Sequence, residues 1–229
     1  MKKILFTAAL AALMLSSCGG GGGTDMGSDY YISEAEKRVP AVQHEIFGEV
    51  PTLATRYYEA LSMLDSVSKV ERDNISATAN NDNYEEVAKK LEELKAGEEA
   101  VESELSQHYK AKINEAAKTV IGKEIPVKAE PSVYSAAKMV VAGVKADDHG
   151  GVDILANASL TAATKLKTLG SHYTQLSWKW LDASGNELGP GMMNLDKAFN
   201  AGDEVKLDTI RLAARDKAPQ ISSIVFSDK

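Results

Sequence analysis

Apolar residues recur at every third or fourth position through two long stretches in the first half of the chain. These positions are Val50, Leu53, Tyr57, Leu61, Leu64 and Val67 in the first stretch and Tyr84, Val87, Leu91, Leu94, Val101, Leu105 and Ile113 in the second. Such spacing places side chains on one face of an α-helix, so it predicts two long amphipathic helices. The polar segment 79–83 predicts a short turn, and a short link brings neighbouring helices together antiparallel. We therefore expect a helical hairpin within one chain rather than a coiled coil between two chains.

A shorter helical segment is predicted ahead of this hairpin, over residues 32–47. Ser33 and Glu36 have the spacing of a capping box near its start. At the other end of the helical region, Gly122 suits the left-handed position that follows the last turn of a helix. These boundaries predict a helical domain over residues 33–122.

Beyond residue 122 the apolar period changes to two. Alternating strands are predicted over residues 127–129, 139–144, 152–161, 175–180, 205–212 and 221–226. Short strands separated by turn residues favour an antiparallel sandwich over a parallel α/β fold. The predicted fold class is therefore α+β, with the helical hairpin followed by an antiparallel β-sandwich over residues 123–229.

Two segments of the second half carry a resemblance to a known class of domain. Residues 180–188 join a Trp-Leu-Asp strand end to the turn Ser-Gly-Asn, and residues 201–205 place Gly-Asp before a strand. They resemble the strand-turn-strand pattern of immunoglobulin-like extracytoplasmic domains, which implies an immunoglobulin-like sandwich. The paired cysteines of antibody domains are missing, because Cys18 is the single cysteine of the chain. The resemblance therefore carries over no functional residue.

The N-terminal residues have the organisation of an export signal. Two lysines precede an apolar run over residues 4–15, which is shorter than the roughly 20 residues that a membrane-spanning helix needs. Leu15, Ser16, Ser17 and Cys18 then match the aliphatic, small, small, cysteine pattern, and they resemble the bacterial lipobox. The alternatives are an ordinary signal peptide with a coincidental cysteine and a buried cytosolic thiol.

The lipobox resemblance implies a lipid-anchored protein of the bacterial cell envelope. It implies a signal peptide over residues 1–17, cleavage between Ser17 and Cys18, and acylation of Cys18 by chains such as palmitate that insert into the lipid bilayer. Residues 18–32 are then the lipidated cysteine and a flexible linker, because five glycines follow the cysteine. Gly19 after the cysteine resembles the outer-membrane default of enterobacteria. We therefore expect attachment to the outer membrane, with the protein facing either the periplasm or the cell surface.

The charge of the chain limits the classes of partner it can bind, and its cysteine content limits how the fold is stabilised. The chain has a net charge of −7, and its acidic excess lies in residues 24–122. A negative surface repels phosphate backbones, so we expect no nucleic-acid partner. A single cysteine cannot form an intramolecular disulfide, so the fold depends on its hydrophobic core.

Catalytic and cofactor motifs are missing from the sequence. The four histidines fall on separate predicted elements, and there is no Gly-x-Ser-x-Gly elbow, phosphate loop or dinucleotide fingerprint. We therefore expect a protein that is not an enzyme and has no cofactor and no metal. The alternative is a metal held by Asp147, Asp148, His149 and Asp153 if their loop folds back on itself.

Tyr173, Trp178 and Trp180 form a candidate platform for a carbohydrate or peptide ligand. Leu176 falls on the same face of the predicted strand as the two tryptophans, so a buried core face is the simpler alternative. The expected function is a non-catalytic binding or structural module with an envelope protein or a glycan as its partner. The alternative function is a glycan- or peptide-binding component of a surface uptake system.

Overall fold

The computed structural model of the protein describes residues 26–170, 173–212, 217 and 220–227. Within these ranges, three helices precede eight strands. The helices are α1 (Ser28–Arg38), α2 (Val50–Ala77) and α3 (Tyr84–Lys118). The strands are β1 (Val127–Ala129), β2 (Tyr134–Ala146), β3 (Val152–Ala162), β4 (Thr168–Leu169), β5 (Tyr173–Leu181), β6 (Glu187–Leu195), β7 (Glu204–Arg211) and β8 (Ser223–Ser227). The predicted α+β class is confirmed, whereas Ser17, Cys18 and the predicted signal peptide lie outside the described residues.

The first helix differs from its prediction over residues 32–47. α1 begins earlier and ends at Arg38, so Ser33 lies inside the helix instead of capping it. A residue that precedes proline is driven out of the α-helical region, which accounts for the end of the helix ahead of Pro40. α1 begins at Ser28, inside the segment 18–32 that was predicted to be a flexible linker. Tyr31 of this helix is buried, so that part of the segment packs against the rest of the protein.

α2 and α3 lie side by side and run in opposite directions. The ring of Tyr57 stacks on that of Tyr109 with centroids 5.2 Å apart, and Arg72 donates to Glu98 at 2.9 Å. An early residue of α2 thus contacts a late residue of α3, and a later residue of α2 contacts an earlier one of α3, which makes the two helices antiparallel. Pro51 lies in the first turn of α2, where a missing N–H costs no intrahelical hydrogen bond. α1 packs against both of these helices.

The strands form two sheets. The first has the order β2-β3-β7, and both of its pairs are antiparallel. The second has the order β1-β8-β5-β4, and β6 also pairs with β5. The β2–β3 hairpin thus lies in one sheet and the β5–β6 hairpin in the other.

The pairing of β1 with β8 is parallel, so the prediction of a wholly antiparallel sandwich is wrong for the second sheet. The N–H groups of Gly122 and Ile125 first donate to the carbonyls of Val141 and Met139 in β2, and the chain then passes Pro126 to reach β8. No hairpin joins β1 to β8, so no turn in the sequence fixes the direction of this pair.

The hydrophobic core is continuous from the helices into the sheets. Tyr57 and Leu105 from the helices belong to the same buried cluster as Leu160 and Phe226 from the strands. Strand β3 alternates buried and half-buried residues along its whole length, as a period of two predicts. Among the described residues, no helix combines the length and the apolar character that crossing a membrane requires.

Candidate functional site

The two tryptophans of the predicted platform are core residues. Trp178 is 4 % exposed and Trp180 is 3 % exposed, whereas Tyr173 is 51 % exposed. The indole of Trp178 lies against Gly191 of the neighbouring strand β6 and 5.8 Å from the ring of Phe226, between centroids. The platform of three aromatic residues is therefore wrong, because both indoles face inward with the rest of their alternating set.

The loop 147–151 at the tip of the β2–β3 hairpin docks onto the helices. Tyr57 of α2 donates from its hydroxyl to the backbone carbonyls of Asp147 and Asp148, at 3.1 and 2.9 Å. Ser106 and Lys110 of α3 both donate to Oδ1 of Asp148. These bonds, the one from Lys110 most, lower the pKa of Asp148 below its ordinary value. The loop thereby attaches the first sheet to both long helices.

The same loop contains Asp147, Asp148 and His149, three of the four residues of the alternative metal site. Oδ1 of Asp147 accepts from the backbone N–H groups of His149 and Gly151, and Asp153 pairs with Arg211 at 2.6 Å instead of facing the loop. Asp147, Asp148 and Asp153 therefore serve separate structural contacts, and the exposed imidazole of His149 lies 3.4 Å from Glu102 of α3 instead. In the described ranges, no group of His, Cys, Asp and Glu side chains is arranged to hold a metal ion.

A groove lies between α2, α3 and the connection from α1 to α2, and we call it the basal groove. Its volume is about 590 Å³. It is lined by Gln43, Glu49, Leu53, Arg56, Lys112, Glu115, Ala116 and Thr119. Six of these eight residues are polar or charged, and the two apolar ones are Ala116 and Leu53, which is buried.

Two cations of the basal groove share one carboxylate. Arg56 donates through Nε to the carbonyl of Val39 at 2.8 Å, and its Nη1 lies 3.6 Å from Oε1 of Glu36. Lys112 places Nζ 3.6 Å from the same oxygen. The Arg56 side chain is only 15 % exposed, so its charge is poorly hydrated. One half-exposed carboxylate beyond hydrogen-bond distance leaves this pair of cations under-neutralised.

The acidic side chains of the groove lie closer to the start of α2 and the end of α3. The stacking of Tyr57 on Tyr109 places Arg56 and Lys112 at nearly the same height along the antiparallel helices. Glu49 precedes Arg56 by seven residues and Glu115 follows Lys112 by three, which correspond to about 10 Å and about 4.5 Å of helix rise. The basal groove is therefore bipolar, with a cationic end and an acidic end.

Sequence reasoning missed the basal groove because its lining comes from three separated segments. The one local signal is that Glu49 and Arg56 flank Leu53, which belongs to the predicted apolar stripe of α2. Charged residues beside a stripe are usually solvated, so that signal alone predicts no site.

His44, in the connection between α1 and α2, links the helical half of the protein to Ile221, which precedes β8. Nδ1 of His44 accepts from the backbone N–H groups of Ile46 and Phe47, each at 3.1 Å, and the imidazole stacks on the Phe47 ring. Burial lowers the pKa of His44, although a backbone hydrogen bond with Ile221 partly opposes this effect. Nδ1 can accept these bonds only while it carries no proton, so this corner of the fold depends on the neutral imidazole.

Comparison with known proteins returned no match, whether to family models, to curated proteins or to solved structures.

Proposed function

We propose that this protein is a lipid-anchored component of the bacterial cell envelope and acts there as a non-catalytic binding or structural module. The observation that carries the proposal is Leu15-Ser16-Ser17-Cys18 directly after the short apolar run. Acylated Cys18 inserts two or three chains into the bilayer, and each buried methylene contributes about 0.8 kcal/mol, which makes the attachment stable. The eight peptide steps from Cys18 to Met26 can span at most about 28 Å, so the anchor keeps the folded body close to the lipid surface.

The fold supports a division into a helical arm and an immunoglobulin-like sandwich, which we propose as its finer description. The β2–β3 hairpin lies in the first sheet and the β5–β6 hairpin in the second, after which β7 returns to the first sheet and β8 to the second. Such alternation between two sheets is typical of immunoglobulin-like topology. In this description the α2–α3 pair is a hairpin arm, and β1 occupies the open edge of β8.

The second candidate function is a peptide-binding component of an envelope uptake system. The bipolar basal groove favours it over the glycan-binding variant, because neutral sugars have no charges that match the two ends. The burial of Trp178 and Trp180 removes the stacking surface on which glycan binding depended.

The anchor is tested by intact-mass spectrometry of the full chain made in a bacterial host with a lipoprotein-processing pathway. We expect a mature protein that begins at Cys18, carries added acyl mass and fractionates with membranes. Cys18→Ser should abolish the added mass and the membrane association. Ser17→Ala keeps a small residue before the cysteine and serves as the matched control, which should be processed normally. A wild-type product that is unmodified and still begins at Met1 would overturn the proposal.

A further inference from the structure

We propose that the basal groove binds a short peptide with free termini, two or three residues long, with its carboxylate at Arg56 and its ammonium group at the acidic end. This inference rests on the binding role proposed above and gives it a ligand class. It does not depend on the lipid anchor.

The cationic end is suited to a carboxylate. Nε is the one guanidinium nitrogen of Arg56 with a hydrogen bond within the described residues, and it donates to Val39. The ion pair with Glu36, at 3.6 Å, is too long for a hydrogen bond, so the terminal nitrogens remain able to donate. A guanidinium binds a carboxylate through two parallel hydrogen bonds, and Lys112 beside it adds a second positive charge. A bound carboxylate would supply the negative charge that the shared Glu36 does not.

The acidic end is suited to an ammonium group. Glu49 and Glu115 line the groove, and each has one oxygen engaged elsewhere, with Gln43 and with Lys118, both at 2.6 Å. A carboxylate accepts several hydrogen bonds, so both can accept from a further donor. The hydroxyl of Thr119 lines the same end of the groove.

The distance between the two ends sets the length of the ligand. Along the helix axes, the backbone positions of the acidic residues differ from those of the cationic residues by about 4.5 to 10 Å. An extended peptide covers about 3.3 to 3.6 Å per residue, so the charged termini of a dipeptide or tripeptide fit this interval. In a free amino acid a single Cα separates the two charged groups, which is too short to reach both ends. On α2, Leu53 lies between Glu49 and Arg56, and its buried side chain forms the apolar floor over which the peptide backbone would pass.

The test measures binding of trialanine to the mature lipidated protein in detergent, by thermal shift and by titration calorimetry. We expect saturable binding, with a rise in Tm of about 5 °C or more when the free peptide is at one hundred times its Kd. N-acetyl-trialanine and trialanine amide each lack one terminal charge, and each should bind at least about tenfold more weakly. Maltotriose, which is neutral and of comparable length, should not bind.

Variants identify the site. Arg56→Gln should weaken trialanine binding at least about tenfold, whereas Arg72→Gln changes an arginine of the same helix that pairs with Glu98 outside the groove and should leave binding unchanged. Because Arg56 also holds the carbonyl of Val39, circular dichroism checks that the variant is folded. The blocked peptides test the same contact on the wild-type protein if it is not.

Three results would overturn the inference: no binding of trialanine, equal binding of the blocked peptides, or equal binding by the folded Arg56→Gln variant. Binding of maltotriose in place of trialanine would assign the protein to glycans instead. The mass of the protein used in each titration records its acylation. Absent binding by an acylated protein therefore refutes the peptide site alone, whereas absent acylation refutes the anchor.

Discussion

Replacement of Gly191 by alanine tests how the two tryptophans are held in the core. Gly191 lies opposite Trp178 in the pairing of β5 with β6. A Cβ at this position would lie 2.1 Å from Nε1 of Trp178 and 2.2 Å from its Cε2, far inside any non-bonded contact. Trp178 also contacts the rings of Trp180 and Phe226, so the indole cannot move aside without displacing other core residues.

The expected loss of stability follows from the size of the indole. Overpacking of a core costs about 1 to 3 kcal/mol when neighbours adjust around the added group. If the indole were expelled altogether, the loss of about 200 Å² of buried surface at 25 cal/mol per Å² would cost about 5 kcal/mol. We expect Gly191→Ala to lower the free energy of unfolding by about 2 to 5 kcal/mol and Tm by about 5 to 20 °C.

The matched control is Gly189→Ala on the same strand. Gly189 lies opposite Trp180, but a Cβ there would have no atom within 4 Å. Its stability should stay within about 0.5 kcal/mol of the wild type. Urea unfolding followed by circular dichroism measures both variants, and tryptophan emission of Gly191→Ala should shift to longer wavelength. Equal stability of the two variants would show that the indole does not cover Gly191, and the assignment of Trp178 to the core would be wrong.

Two further predictions concern polar groups in the interior. Tyr57→Phe removes the donor to the loop 147–151 and should destabilise the protein by about 1 to 2 kcal/mol. Tyr109→Phe removes a buried hydroxyl that has no hydrogen-bond partner among the described residues, so it should be neutral or stabilising. Similar losses of the two variants in urea unfolding would contradict this. Lowering the pH from 7 to 5 should destabilise the protein, because the unfolded chain takes up a proton at the ordinary His44 pKa of 6.5 while the folded protein, whose His44 pKa is lower, does not. His44→Gln should reduce this dependence of Tm on pH, and an unchanged slope would refute the assignment.

The parts of the fold that could be predicted are those in which one element's own sequence carries the information. The spacing of Val50, Leu53 and Tyr57 marks the buried face of α2 because helical geometry alone sets that period. The alternation along β3 likewise depends only on which side of one strand faces the core. α1 was predicted less well, since Pro40 inside the apolar pattern obscured where the helix ends.

The direction of β1 depends on information outside its own residues. Its three residues pair with β8 in parallel, almost a hundred positions along the chain. What sets this pairing is the route of the preceding segment along β2 and past Pro126, which brings the chain to the edge of β8 already heading in that direction. A pattern of alternating residues is the same for parallel and antiparallel neighbours, so the sequence predicted the strand and not its partner.

The basal groove also depends on information outside any one element, because the positions of its two charged ends depend on the relative height of α2 and α3. The two helices contact each other directly at this level through the stacked rings of Tyr57 and Tyr109. The loop 147–151 meets both of them there, through Tyr57 on α2 and through Ser106 and Lys110 on α3. The pair of Lys110 with Asp148 is exposed and adds little stability, so the hydroxyl of Tyr57 on two backbone carbonyls is the stronger constraint. Tyr57 directly follows Arg56, and Lys110 lies two residues before Lys112. The loop between β2 and β3 therefore supports the relative height of the helices that spaces the charges of the groove, although no residue of the loop lines the groove.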